Sequence, residues 1–210
     1  MIRCLDIHTH HQPPQPLGVV SVTIESFDPI DGQLYALGIH PWSTTSNVSS
    51  QEWQKFEELA ALPCVVAIGE CGIDKIKGGP LFRQLIVMQR QVEISEKLHK
   101  PLIIHDVKAH DVIVGLKRDL KPVQKWLVHG MRGKPSVAKM LTDAGIYLSF
   151  GEKFNPETPR TIPPHMLLAE TDESSLDIIE IIRQLSENLG HDITEEIFSN
   201  TASFLSLDTI

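Results

Sequence analysis

Cysteines, basic residues and long apolar runs are all scarce in this chain of 210 residues. The three cysteines form no C-x-x-C pair and are odd in number, which excludes a regular disulfide framework and favours a reducing compartment. The net charge of −8 argues against a general nucleic-acid-binding surface, since such surfaces usually carry a basic excess. No apolar stretch approaches the roughly 18 residues of a membrane span, and no secretory signal is recognisable. We therefore expect a cytoplasmic enzyme or binding protein that does not associate with membranes.

Short apolar runs alternate with amphipathic stretches along the whole chain, without a linker or a repeat. The strand candidates are Arg3–His8, Gly18–Ile24, Tyr35–His40, Val65–Glu70, Leu102–His105, Trp126–His129, Ile146–Phe150 and Met166–Glu170. The helix candidates are Gln51–Ala61, Leu81–His99, Ala109–Lys117, Ser136–Ala144, Leu176–Leu189 and Thr194–Leu205. Such alternation predicts parallel strands joined by helices, and eight strands predict a TIM-type (β/α) barrel.

Two segments of this expected barrel lack helical periodicity, residues 13–34 and residues 151–164. The second contains four prolines, which leave little room for a helix. The expected architecture is therefore a minimal, distorted TIM-type (β/α) barrel with some peripheral helices missing. A chain of this length forms one domain most readily, so residues 1–210 are expected to be a single domain.

The segment DIHTH near the start raises the question of function. On a strand, side chains alternate between faces, so Asp6, His8 and His10 are expected to share one face. Neutral imidazole is the commonest protein metal ligand. An isolated H-x-H pair is equally compatible with a strand end whose histidines contact water or backbone carbonyls.

Four further predicted strands finish in an ionisable side chain. VVAIGE ends at Glu70, PLIIH at His105, KWLVH at His129, and MLLAE at Glu170 with Asp172 two residues beyond. A lone buried carboxylate is costly unless it is paired or bound to metal, and the carboxyl ends of barrel strands carry the active site. Five such strands therefore predict one shared site, against the alternative that each histidine merely caps its own strand.

The candidate ligand set is too large for one tetrahedral ion and predicts two divalent ions. Its members are His8, His10, Glu70, His105, His129 and Asp172. Glu70 is the candidate bridge, and mixed imidazole and carboxylate ligation suits Zn, Mn, Fe or Ni better than Mg. Two ions would activate a water molecule, with Asp172 as both ligand and general base, so Glu70 and Asp172 are the candidate catalytic residues.

At these residues the chain resembles the TatD family of metal-dependent hydrolases, which are amidohydrolase-like barrels. The matching motifs stand in family order: DIHTH (6–10), GIHPW (38–42), AIGECGID (67–74), FRQLIVMQRQVEISEKLHKPLIIH (82–105), LVHG (127–130), GIYLSFG (145–151) and LLAETD (167–172). The resemblance implies a metal-dependent deoxyribonuclease or phosphodiesterase, and the family's ligands fall on the six residues above. It also implies that His40 lines the site, where it can contact a substrate phosphate.

The departures from the family pattern lie around the site. Val107 replaces an arginine, Lys75 a tyrosine and Gly130 a cysteine. Lys108 and Arg132 follow strands and are candidates for the missing phosphate contacts, although solvated surface charges would look the same. The expected substrate is DNA or a small phosphodiester, and no stable protein partner is predicted.

Two other functions remain open at this point. One is a related barrel hydrolase of a small ester, lactone or amide, and the other is a metal-binding protein without turnover. Trp42, after the GIHP turn, could stack on a base or sugar or fold over the barrel mouth.

Overall fold

Eight parallel strands close into a barrel in the computed structural model, which describes residues 4–11 and 18–207, and this confirms the predicted fold class. Each strand pairs with its neighbours in chain order, and β8 closes on β1. The strands are β1 (Asp6–Thr9), β2 (Gly18–Val22), β3 (Leu34–Leu37), β4 (Val65–Asp74), β5 (Leu102–Val107), β6 (Trp126–Val128), β7 (Ile146–Phe150) and β8 (Leu167–Ala169).

Six α-helices surround the barrel in the described part of the chain. They are α1 (Ser50–Ala60), α2 (Leu81–Leu98), α3 (His110–Leu120), α4 (Pro135–Asp143), α5 (Ile178–Leu189) and α6 (Thr194–Leu205). The sequence marks their ends: Ser49 and Glu52 form a capping box at the start of α1. Gly190 ends α5 in the left-handed conformation, with φ of 86°.

The two segments predicted to lack helices differ in what replaces them. Residues 23–33, between β2 and β3, contain no helix, while residues 12–17 lie outside the described ranges. The proline-rich segment before β8 forms two single 3₁₀ turns, Pro159–Thr161 and Pro164–Met166. Proline fits the first turn of a helix, where its missing N–H would have no partner, so these prolines permit short turns but no α-helix.

Alternation along the strands separates two apolar layers. One strand face carries Ala67, Ile103, Leu127 and Leu168 into the barrel interior, which Phe204 of α6 closes. The other face packs against the helices, in a cluster that includes Leu102, Ile104, Trp126, Val128, Met88, Leu141 and Ile181. The barrel is therefore a filled core rather than a pore, and in barrels of this type the site lies at the carboxyl ends of the strands.

Several strand ends differ from the predicted bounds. β4 runs past Glu70 to Asp74, and β5 runs past His105 to Val107. β6 and β8 stop one residue before His129 and Glu170. The ligand-type residues therefore lie at or near the strand ends, as expected, without always being the last residue. No helix among the described residues is both long and apolar enough to cross a membrane.

Candidate metal centre

The Glu70 carboxylate lies at the middle of a ring of histidines. Its Oε1 atom is 2.7 Å from His105 Nδ1, 2.8 Å from His129 Nε2 and 3.1 Å from His40 Nε2. Its Oε2 atom is 3.4 Å from His10 Nε2 and 3.5 Å from His8 Nε2. One carboxylate thus faces two separate sets of imidazoles, one with each oxygen.

Asp172 completes the side of the ring formed by β1. Its Oδ1 atom is 3.7 Å from both His8 Nε2 and His10 Nε2. Backbone pairing sets this placement, since Asp172 N donates to His8 O at 3.0 Å and His10 N donates to Asp172 O at 3.1 Å. Asp172 has a φ of 51°, a left-handed conformation that Asp tolerates better than most residues. All six predicted ligands are therefore brought together, with His40 beside them.

Asp6 does not join this cluster, which corrects the expectation that it shares a face with His8 and His10. Its carboxylate accepts hydrogen bonds from Thr171 N at 3.0 Å and Thr171 Oγ1 at 2.6 Å. The pairing of β1 with β2 shifts register between Asp6 and Thr9, so strict alternation fails within this short strand. Asp6 instead ties β1 to the segment that carries Asp172.

Two glycines allow the strands around Glu70 to approach each other closely. A Cβ atom on Gly38 would lie 2.4 Å from the Gly69 carbonyl carbon and 2.5 Å from Glu70 N. A Cβ atom on Gly72 would lie 2.0 Å from His105 O, and Gly72 has a φ of 142°. Only glycine fits at either place. The glycines of the GIH and ECG sequences are therefore needed so that the strands carrying His40, Glu70 and His105 can lie this close together.

The donor set fits divalent metal ions. His8 is fully buried, yet neither of its ring nitrogens makes a hydrogen bond within the described part of the protein, and the same holds for His129 Nδ1. Buried polar atoms normally have partners. Four groups of three side chains bring potential ligand atoms within 4.8 Å of one another: His8, His10 and Asp172; His8, Glu70 and His129; His40, Glu70 and His105; His129, Glu170 and Asp172.

Burial and neighbouring charges shift the pKa values of the ring members in different directions. Burial lowers the pKa of His8 to about 3, so its imidazole is neutral. Burial opposes ionisation of Glu70, but His129, His10 and His105 outweigh it and hold the pKa of Glu70 well below its usual value. Burial would lower the pKa of His129, but the carboxylates of Glu70 and Glu170 outweigh it and hold that pKa well above its usual value, and a hydrogen bond to Glu70 raises the pKa of His10. Neutral imidazole and ionised carboxylate are the forms that ligate metal, so His8 and Glu70 are ready to bind an ion, whereas His10 and His129 must release a proton as they bind one.

Two carboxylates outside the predicted set support the ligands from behind. Glu170 is almost fully buried, accepts a hydrogen bond from Ser149 Oγ, and places Oε1 3.6 Å from His129 Nδ1. Asp74 places Oδ2 3.3 Å from His105 Nε2. The sequence held a signal for Asp74, because it stands four residues after Glu70 and so on the same face of β4.

A cavity of about 410 Å³ opens above the ring, and Trp42 forms part of its wall. The Trp42 indole is 45% exposed, donates from Nε1 to Asp74 Oδ2 at 2.8 Å and meets His40 edge to face. Trp42 therefore folds against the mouth of the barrel, one of its two expected roles.

The predicted phosphate contacts lie apart from this cavity. Arg132 is exposed and lines a neighbouring cavity of about 270 Å³, which shares Asp172 and Glu173 with the first. Lys108 is exposed at the end of β5 and is not among the residues that line either cavity. The role of both cations stays a prediction.

The chain is similar in sequence to known proteins. A family model described as TatD related DNase matches residues 23–187. An uncharacterized metal-dependent hydrolase of Bacillus subtilis, YabD, is 30% identical over 162 residues, which cover 73% of this chain and 63% of that protein. A Yersinia pseudotuberculosis protein named 3'-5' ssDNA/RNA exonuclease TatD is 30% identical over 146 residues, which cover 64% of this chain and 55% of the relative.

A similarity in fold extends over nearly the whole chain. The crystal structure of YjjV, a TatD homologue from Escherichia coli, superposes with a TM-score of 0.81 at 20% identity, covering 97% of this chain and 98% of that one. This likeness shows the barrel fold. The chain spans less than two thirds of the length of YabD and of the Yersinia exonuclease.

Proposed function

Because the chain belongs to the TatD-related DNase family, we propose that it is a metal-dependent hydrolase that cleaves phosphodiester bonds in DNA or in a small phosphodiester. The observation that carries the proposal is the position of Glu70, whose two oxygens face different histidine sets. Oε2 faces His8 and His10, while Oε1 faces His105 and His129. A carboxylate so placed suits a bridge between two ions.

The residues divide into two ligand groups around that bridge. His8, His10 and Asp172 would hold one ion, His105 and His129 the other, and Glu70 both. The mixed nitrogen and oxygen set favours Zn, Mn, Fe or Ni over Mg. Two such ions, when bound, lower the pKa of a water molecule and stabilise the attacking and leaving oxygens of a phosphodiester.

Asp172 is the proposed general base. Both Asp172 and Glu70 line the cavity above the ring, but the Asp172 side chain is 24% exposed and the Glu70 side chain only 7%. A water molecule in that cavity can therefore reach the Asp172 carboxylate, which takes its proton as the water attacks. Glu70 is buried beneath and serves to fix the ligand geometry.

His40 is the proposed contact to the substrate phosphate. Its Nδ1 atom accepts from Trp42 N at 3.1 Å, which fixes the ring at the cavity wall and leaves the proton on Nε2, 3.1 Å from Glu70 Oε1. An ion on that oxygen would free this N–H for a phosphate. Arg132, beside the adjoining cavity, is placed to meet a phosphate further along the substrate. Lys108, in the loop after the neighbouring strand β5, is assigned the same role on sequence position alone.

One observation favours the second candidate, hydrolysis of a small ester, lactone or amide. Among the described residues, those that line the 410 Å³ cavity include Glu173 and the hydroxyl-bearing Ser21, Thr23 and Ser26, but no lysine or arginine. A cavity for a polyanion usually gathers cations. The phosphodiester proposal therefore depends on metal ions and His40 to hold the phosphate.

Metal content and metal-dependent hydrolysis, measured on the same preparation, test the proposal. The protein is stripped of metal and resupplied with Mg, Mn or Zn, then assayed with bis(p-nitrophenyl) phosphate, short single-stranded DNA, and a lactone and amide panel. We expect two ions per chain and cleavage of the phosphodiesters. Asp172→Asn should lower the rate by about 10²–10⁴-fold, while the control Asp177→Asn, at the exposed N-cap of α5, should not.

Each outcome separates the candidate functions. Cleavage of bis(p-nitrophenyl) phosphate without DNA cleavage restricts the substrate to small phosphodiesters. Lactone or amide turnover without phosphodiester cleavage rejects the proposal in favour of the second candidate. Bound metal with no turnover of any substrate leaves a metal-binding protein, and absence of bound metal rejects the site itself.

A further inference from the structure

Asp74 is a buried carboxylate at the end of β4 that the proposed reaction does not use. It is 4% exposed and has four polar contacts. Oδ1 accepts from the backbone N–H groups of Ile76 and Lys77, each at 2.8 Å. Oδ2 accepts from Trp42 Nε1 at 2.8 Å and lies 3.3 Å from His105 Nε2. Three of these four partners can only donate a hydrogen bond.

The backbone of Asp74 is itself held in place by helix α2. Gln84, which is 2% exposed, accepts from Asp74 N at 2.8 Å. The Gln84 amide donates to Asp74 O at 3.0 Å and to Gly79 O at 2.7 Å. A residue fixed by both its backbone groups and both its carboxylate oxygens is a rigid reference point for a neighbouring side chain.

We propose that Asp74 is a positioning residue, which fixes the ring orientation and tautomer of His105; the inference rests on the proposed metal site. An ionised carboxylate only accepts hydrogen bonds, and His105 faces one with each nitrogen: Glu70 Oε1 lies 2.7 Å from Nδ1 and Asp74 Oδ2 lies 3.3 Å from Nε2. An ion that takes the place of the proton between Nδ1 and Glu70 requires a free lone pair on Nδ1. The proton must then be on Nε2, where Asp74 accepts it, and Nδ1 is the atom that faces the ligand cluster. A carboxylate behind a ligating histidine raises its basicity and holds its tautomer.

Replacement of Asp74 by asparagine should reverse this tautomer. The amide has one accepting oxygen and one donating nitrogen. The backbone N–H groups of Ile76 and Lys77 can only donate, so they keep the amide oxygen as their acceptor. The amide nitrogen must then face Trp42 Nε1 and His105 Nε2. Only His105 can adapt, by moving its proton from Nε2 to Nδ1. That proton then occupies the lone pair required for the metal.

Zinc titration by calorimetry into metal-free protein tests the proposal without any assay of hydrolysis. Asp74→Asn should weaken binding of Zn²⁺ about 10–100-fold. Asp106→Asn is the matched control, because Asp106 Oδ2 lies 2.6 Å from His110 Nδ1 in a carboxylate–histidine pair outside the ligand cluster. The control should bind zinc as the wild type does. Unchanged zinc affinity in folded Asp74→Asn would overturn the proposal.

A second measurement needs no substitution of Asp74 and so does not depend on that variant folding. Nitrogen-15 NMR of the zinc-loaded wild type, with the His105 signals identified by their loss in His105→Gln, should show the proton on Nε2. A proton on Nδ1 overturns the inference even when hydrolysis is observed. Zinc binding with the expected tautomer but no hydrolysis of any ester supports the inference and rejects the proposed function.

Discussion

The ligand cluster and the cations near the barrel mouth differ in how firmly the fold holds them. The ligand cluster comprises His8, His10, Glu70, His105, His129 and Asp172. The members lie within β1, β4 and β5 or shortly after β1, β6 and β8, so five strands contribute. The mouth cations are Lys108 and Arg132, and both are exposed. Within the described part of the chain, neither forms an ion pair. The sheet thus fixes the position of the cluster, whereas no ion pair with a described residue fixes the side chains of the two cations.

This contrast assigns different tasks to the two regions. A metal centre needs donor atoms held within a fraction of an ångström, which strands and supporting hydrogen bonds provide. Recognition of a phosphate by an exposed cation tolerates movement and contributes little per contact. Under the proposed function, the barrel strands would carry the chemistry and the loops the choice of substrate.

Glu70→Gln gives the largest expected effect, because it removes the shared charge at the middle of the ligand cluster. Zinc affinity should fall by more than about 100-fold, beyond the usual cost of losing a supporting partner. Hydrolysis should be lost with it. Calorimetric titration and the phosphodiester assay check both, with circular dichroism to confirm folding. If Glu70→Gln binds two ions with the affinity of the wild type, Glu70 is not the shared ligand of the two ions.

Arg132→Ala should have a much smaller effect, since an exposed charge contributes about 0.2–1 kcal/mol. We expect kcat/KM on single-stranded DNA to fall about two- to fivefold, mostly through KM. The slope of log kcat/KM against log salt should shrink by about one. Lys108→Ala, measured in parallel, tests whether the loop after β5 contributes a phosphate contact at all; an unchanged salt slope removes Lys108 from the substrate-binding set.

His110→Gln should give the smallest effect, one on stability alone. A hydrogen bond to Asp106 raises the pKa of His110 above its ordinary value near 6.5. A raised histidine pKa stabilises the fold fully below the unfolded value, and this stabilisation is lost as pH rises through the folded value. Urea unfolding should therefore show a larger deficit in His110→Gln at pH 6 than at pH 8.5. Zinc affinity should not change, because this histidine pair lies outside the ligand cluster.

Sequence pattern located the ligand cluster because barrel strands bring their ends together whatever the loops do. His105 and His129 each follow a buried apolar run, so their position at the same end follows from the fold class alone. Alternation within β1 was less reliable, since a register shift sends Asp6 to Thr171 instead of the ring. A four-residue strand is too short for its period to survive one irregularity.

The amino-acid sequence by itself determined the barrel, the six candidate ligands and their common location, because hydrophobic periodicity and strand order are local properties. Only the tertiary structure decided which atoms face each other. It divided the two oxygens of Glu70 between two sets of histidines, and it placed Asp74 behind His105. These contacts join residues that lie tens of positions apart in the sequence. Glycines allow the neighbouring strands to approach closely, and the buried amide of Gln84 holds the backbone of Asp74, so together they fix the distances. No spacing along the chain encodes such geometry, which exists only once the strands have closed.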